Sequence, residues 1–285
     1  MTAFALSLLL AAGFVHAGWN YLAKRAGGGA VFVWLFASVS SVVYAPLAVF
    51  VAYWFKPRIG LPEVGIILAT VIVHLIYFLL LQRGYRVGDL SLVYPLARGT
   101  GPALSMLLAI LLFQERPSAL AIAGGLLVAV GVFALAGGST RSPLSSRKAV
   151  AYGLLTGVAI ATYTLVDKLG VSTFLIPPLL VVYAIDVGRV VLLAPITFRR
   201  WDEAQREWRN QRLQIIAIGI LCPLSYILVL TALVTTPVSY IAPAREVSIL
   251  IGTVMGTRWL SEGHARRRIP AAAAIVLGVA ALALG

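Results

Sequence analysis

Charge and cysteine are what this chain has least of. Charged residues are 12% of its 285 positions, and only 10 are acidic; a soluble domain carries about 25% charged residues. The single cysteine, Cys222, excludes an intrachain disulfide framework and a cysteine metal site. Set in an apolar run next to Pro223, it reads as a small buried apolar side chain. Three scattered histidines and the lack of an acidic cluster in any loop leave no metal site in view and argue against an intramembrane enzyme. The pattern G-x-x-x-x-G-K-[ST] is missing, so ATP does not drive this chain by itself. Nothing resembles an RNA- or DNA-binding pattern despite a net charge of +13. No cofactor is implied.

What is present is apolar length. The chain is 60% hydrophobic, with a mean hydropathy of +0.95. About 20 apolar residues cross a bilayer core, and ten such runs can be marked, roughly 3–23, 30–55, 63–83, 90–113, 118–137, 149–168, 174–198, 213–235, 238–260 and 269–285. The expected fold is an all-α integral membrane protein of ten transmembrane helices. The first run has no basic leader and is followed by Lys24 and Arg25, so it reads as a retained helix. Links are short at Gln114-Glu115-Arg116-Pro117 and around Thr235-Thr236-Pro237. The polar stretch from Arg199 to Arg212, carrying Trp201 and Trp208, reads as an interfacial amphipathic segment.

The composition of residues 138–148 is that of a linker. It divides the chain into five-helix halves, 1–137 and 149–285. Arg98 and Arg245 lie 147 residues apart inside apolar runs, and each is followed seventeen residues later by a glutamate, Glu115 or Glu262. Helix 1, from Ala17 to Lys24, likewise lies over helix 6, from Ala161 to Lys168. An odd number of helices per repeat inverts the second repeat. Inverted repeats place a substrate site near the midplane and permit alternating access. Sixteen Lys and Arg fall in the odd-numbered loops and four in the even ones. The positive-inside rule then puts both termini outside.

An ionisable residue within a membrane span is a functional candidate by default. Arg98 reads either as a clamp for an anionic substrate group or as a partner of Glu246 or of carbonyls freed by Pro95. Arg245 and Glu246 are adjacent, hence about 100° apart on an unbroken helix. Glu246 is a candidate for proton coupling, as is Asp186, although Asp186 and Arg189 are spaced to pair at i, i+3. His16, Trp19 and Asn20 share one helix face, and His74 and Tyr77 another. Tyr94 lies one turn from Arg98; Tyr163 matches Trp19, and Tyr240 lies near Arg245. Together these make a lining suited to a zwitterion or a small organic anion. For each residue alone, core packing is the rival reading. Gly153-xxx-Gly157 and Gly252-xxx-Gly256 allow close helix contact, within the bundle or in a homodimer.

His16-Ala17-Gly18-Trp19-Asn20 with Lys24 resembles the first helix of the EamA-like family of the drug/metabolite transporter superfamily. Residues 88–99, Gly-Asp-Leu-Ser-Leu-Val-Tyr-Pro-Leu-Ala-Arg-Gly, ending at Glu115-Arg116, resemble that family's fourth helix, in a bacterial subgroup that includes phosphonate-utilisation-associated membrane proteins. The resemblance implies two inverted five-helix repeats around a central cavity, in the cell (inner) membrane. It also implies cytoplasmic termini, opposite to the charge count. The function it implies is secondary transport, often export, of amino acids or other metabolites. An organophosphonate or phosphorylated metabolite is the alternative substrate, and an intramembrane lipid-modifying enzyme the rival class. The expected partners are a small-molecule substrate and the lipid bilayer, with no nucleic acid, in a monomer or homodimer.

Overall fold

A computed structural model describes residues 1–26, 29–87, 90–136, 143–249, 251 and 265–285. Among these the chain is 90% helical, with no strand. Helices α1 (Ala3–Ala26), α2 (Ala30–Phe55), α3 (Leu61–Val87), α4 (Leu90–Leu112) and α5 (Ala119–Ala136) form the first half. Helices α6 (Pro143–Lys168), α7 (Pro178–Phe198), α8 (Trp201–Thr235), α9 (Val238–Ala244) and α10 (Ala265–Leu284) follow, with a π-helical turn at Leu169–Thr173. Six helices are long and apolar enough to cross a membrane, and Leu96–Leu112, Ala119–Ala134 and Pro270–Leu284 are shorter apolar helices. The protein is an all-α membrane protein. Large apolar side chains such as Phe50, Trp54, Leu126 and Leu277 face outward, where lipid rather than water is the compatible solvent.

Local chemistry sets the helix ends. Pro178 starts α7, where a missing N–H costs nothing. Lys56 ends α2 in the left-handed conformation and donates its N–H to the Ala52 carbonyl. The stretch read as an interfacial segment joins α8 as one helix, kinked at Gln211 where the backbone leaves helical geometry (φ −134°, ψ 20°). Trp201 packs edge-on against Trp34 of α2, with ring centroids 6.4 Å apart.

Glycines bring the helices together in a pattern that repeats. A Cβ on Gly157 of α6 would lie 2.8 Å from Thr100 Cβ and 3.2 Å from Gly101 N of α4. A Cβ on Gly13 of α1 would lie 3.1 Å from Val247 Cγ1 and 3.6 Å from Ser248 N. Thr100 and Val247 are 147 residues apart, so these contacts exchange when the halves are superposed. The α5–α10 contacts exchange in the same way: Gly124 against Gly278, and Gly131 against Ala271. Further pairs obey the same rule, since α1 packs on α8 as α6 packs on α3, and α2 packs on α7. Gly153, the other half of the first small-residue pair, would place a Cβ 2.8 Å from Leu96 Cβ, so this face is used inside the bundle. Gly252, Gly256 and Glu262 lie outside the described residues, as do residues 138–142 of the linker.

The expected helix over 238–260 is not continuous. Helix α9 stops at Ala244, residues 245 and 246 form a turn, and 247–249 are helical again. Here Glu246 N–H donates to the Pro243 carbonyl at 3.0 Å and Ile249 N–H to the Glu246 carbonyl at 2.9 Å, i→i−3 bonds in place of i→i−4. Pro243, which has no N–H to give, sits just before the break. The other end of α9 is held from outside itself. Both oxygens of Glu115 accept backbone N–H bonds at 2.8 Å, from Val238 and Ser239, an anion on the positive end of a helix. Lys168 Nζ donates to the carbonyls of Leu233 (2.7 Å) and Thr236 (3.1 Å) at the end of α8.

The glycine contacts predict a steric contrast. Gly278→Val would press a Cβ onto the Gly124 carbonyl, 2.6 Å away, and is expected to cost about 1–3 kcal/mol, as overpacking does. Gly18→Ala meets nothing within 4 Å and should leave stability unchanged. Melting temperatures in detergent check this, and equal values for the two variants would refute the close α5–α10 packing.

Candidate functional site

The break in α9 turns Arg245 and Glu246 toward the same partners. Glu246 is fully buried, and Arg98 of α4 and Arg245 are nearly so. Arg98 Nε lies 2.9 Å from Glu246 Oε2, and Arg245 Nε lies 4.0 Å from Glu246 Oε1. On an unbroken helix the two neighbours would diverge; the turn lets both guanidiniums face one carboxylate. Arg98 also donates through Nη2 to Ser248 Oγ at 3.2 Å. The Arg98–Glu246 contact is at hydrogen-bond distance, and the longer Arg245–Glu246 contact is held by attraction of charge. Among the described residues, two cations face one anion here.

Tyr163 of α6 links the arginines to a second polar cluster. Its hydroxyl accepts a bond from Arg245 Nη2 at 3.4 Å, and the Arg245 guanidinium lies 5.8 Å from its ring centre. The same ring stacks on His74 of α3 at 4.2 Å and meets Tyr77 edge-on at 5.5 Å. His74 Nε2 lies 3.0 Å from Asp167 Oδ2. The fully buried Asp167 carboxylate also accepts hydrogen bonds from the hydroxyls of Thr70 and Tyr226. Buried acceptors need such partners, because the interior provides no water to replace them.

The structure therefore joins Arg98, Arg245, Glu246, Tyr163, His74 and Tyr77 through contacts, and it gives other candidates nearer partners of their own, although His16 remains close enough to both arginines to feel their charge. Asp186 pairs with Arg189 at 2.9 Å and accepts from Ser40 at 2.6 Å, between α7 and α2. His16 meets Trp19 edge-on at 4.8 Å, and Trp19 Nε1 donates to Ser225 Oγ of α8 at 3.3 Å. The Asn20 side-chain amide is bonded to the His16 carbonyl of its own helix at 2.7 Å. Tyr240 points to the end of the bundle, its hydroxyl accepting from Ser118 N–H at 3.3 Å and donating to the Gly285 carbonyl at 3.2 Å. The Tyr94 side chain lies outside the described residues. An apolar groove of about 580 Å³ between α2 and the start of α8 contains none of these residues.

Asp167, Thr70, Tyr226 and Ser248 join the site without having been singled out from the sequence. Asp167 directly precedes Lys168 at the end of an apolar run and so resembles a solvated helix-end charge. A π-helical turn carries the chain on past that run, which places Asp167 inside the bundle. A lone acid within a span was the available signal.

Residues 147–284 match the model of the EamA-like transporter family, part of the drug/metabolite transporter superfamily. No curated protein matches the chain. One solved crystal structure superposes with a TM-score of 0.77 at 16% sequence identity, covering 98% of each chain, a likeness of fold alone. The family match takes in just under half of the chain.

Removing one partner of a buried charge cluster strands the others. Glu246→Gln, which leaves two facing guanidiniums uncompensated, is expected to lower stability by about 3–5 kcal/mol. Chemical denaturation in detergent measures this, and unchanged stability would mean that the arginines find their compensation elsewhere.

Proposed function

We propose that this chain is a secondary transporter of a small zwitterionic or anionic metabolite, such as an amino acid, and that it works by alternating access in the cell (inner) membrane. The observation that carries the reading is the pair Arg98 and Arg245 facing the single carboxylate of Glu246 inside an apolar bundle. A net positive charge away from water is expensive, and an anionic group on the substrate offsets it. Glu246, held by the two arginines, occupies the position that a substrate carboxylate would share or take over. Tyr77 and Tyr163 beside it supply flat apolar surface with polar tips.

Glycine contacts that exchange between the halves support two inverted repeats, 1–137 and 149–285, around this site. A discontinuous helix beside a buried polar site is the form that substrate sites of repeat-built transporters take, and the turn at 245–246 has that form. The family resemblance favours export. Two converging guanidiniums also fit a dianionic phosphonate or phosphorylated metabolite, which is the second reading.

Flux in proteoliposomes across a panel of amino acids, organic acids and phosphonates tests the proposal. Losing charge-assisted hydrogen bonds costs about 1.5–3 kcal/mol, so Arg98→Ala is expected to weaken apparent affinity by about tenfold to a hundredfold. Arg98→Lys keeps the charge but not the fork, and should fall between Arg98→Ala and the unsubstituted protein. Unchanged flux in a folded Arg98→Ala protein would sink the role of Arg98. Thermal stabilisation by cations alone would overturn the anionic substrate class.

A further inference from the structure

Six buried or nearly buried charges stand at the centre of the described bundle: Arg98, Arg189 and Arg245 against Asp167, Asp186 and Glu246. With neutral histidines they sum to zero. The balance is not local, however. Asp186 and Arg189 close on each other at 2.9 Å. Arg98, Arg245 and Glu246 carry a net +1, while Asp167 carries −1 and, among the described residues, its hydrogen-bond partners are the neutral donors Thr70, Tyr226 and His74. Tyr163 spans the gap, stacked on His74 and bonded to Arg245. These two clusters are therefore balanced against each other, and one side chain connects them.

An anion arriving at the arginines upsets that balance by one negative charge. Two histidines feel that change, His16 beside the arginines and His74; of these His74 has a carboxylate against it, and can become an imidazolium 3.0 Å from Asp167 by taking a proton from water on the open side. We propose that anion binding at Arg98 and Arg245 draws one proton onto the His74–Asp167 pair, so that one proton travels with each net negative charge of substrate. A zwitterion adds no net charge and draws no proton. This rests on the transport reading above and adds its energy coupling.

The surroundings of the pair come from each packed element. Helix α3 gives Thr70, α6 gives Tyr163, and α8 gives Tyr226. Arg189 of α7 and Arg245 act on His74 at longer range, and His74 acts on Asp186. Arg98 of α4 is directed to Glu246 instead.

The test needs no substrate, because a substitution can stand in for the incoming charge. Arg245→Gln removes one positive charge; Ser248→Asp adds a negative one beside Arg98. Both leave the centre at −1. Protonated His74 then stabilises the folded state, and that stabilisation is lost as pH rises. The melting temperature of either variant should fall by about 5 °C more than that of the unsubstituted protein between about pH 6 and about pH 8. Combining either with His74→Gln should abolish this extra pH dependence, and Arg245→Gln with Asp167→Asn, which is balanced again, should lack it. A loss equal at both pH values, or a pH dependence that survives His74→Gln, would overturn the proposal. So would failure of both single variants and the balanced double variant to fold. Such a failure leaves the transport reading standing, since that reading is tested by flux.

Discussion

Unpaired charge is costly in a bundle whose outside is apolar and whose charged groups are buried. Much of the centre of this molecule follows from that constraint. Arg98 and Arg245 come from different halves of the chain. Arg98 has no carboxylate on its own helix turn, and Arg245 has only the adjacent Glu246, which an unbroken helix would turn away from it. Glu246 serves both because α9 breaks at residues 245–246. The break is in turn possible because Pro243 has no N–H to place in the helix ladder, and because the start of α9 is anchored from outside by Glu115.

The two termini of the α8–α9 turn are held by opposite charges. Lys168 gathers the last carbonyls of α8, and Glu115 gathers the first N–H groups of α9. Each charge complements the helix dipole it meets. This explains why a carboxylate at the end of the fourth apolar run matters seventeen residues from its arginine: it secures the helix that carries the other arginine. Close glycine contacts between α4 and α6, and between α5 and α10, supply the rest of the rigidity. Without them the helices would stand too far apart for residues in opposite halves to touch.

The apolar runs predicted nearly all of the helices to within a few residues, because length and hydropathy are local properties. The exceptions are instructive. The interfacial segment fused with α8, since nothing between Arg199 and Arg212 forbids helix and the change of direction is absorbed by a kink at Gln211. The run over 238–260 concealed a turn, since apolar composition does not register a broken hydrogen-bond ladder. In the site, the arginines, Glu246, His74, Tyr77 and Tyr163 were legible as polar or aromatic groups in apolar surroundings. Asp167 was not, because a charge next to Lys168 at a run's end has the same local pattern whether it meets water or the core.

What the sequence determined by itself is the class and the ingredients: an all-α membrane chain, with two arginines 147 residues apart inside apolar runs. Those features depend only on composition and spacing along the chain. Tertiary structure decided the pairing. It gave one glutamate to two arginines, left Asp167 to hydroxyls and a histidine, and used Tyr163 to join the two clusters. The physical reason is reach: apart from the adjacent Arg245 and Glu246, these groups act over a few ångströms across partners 59 to 150 residues apart, and only packed helices bring such residues within that range.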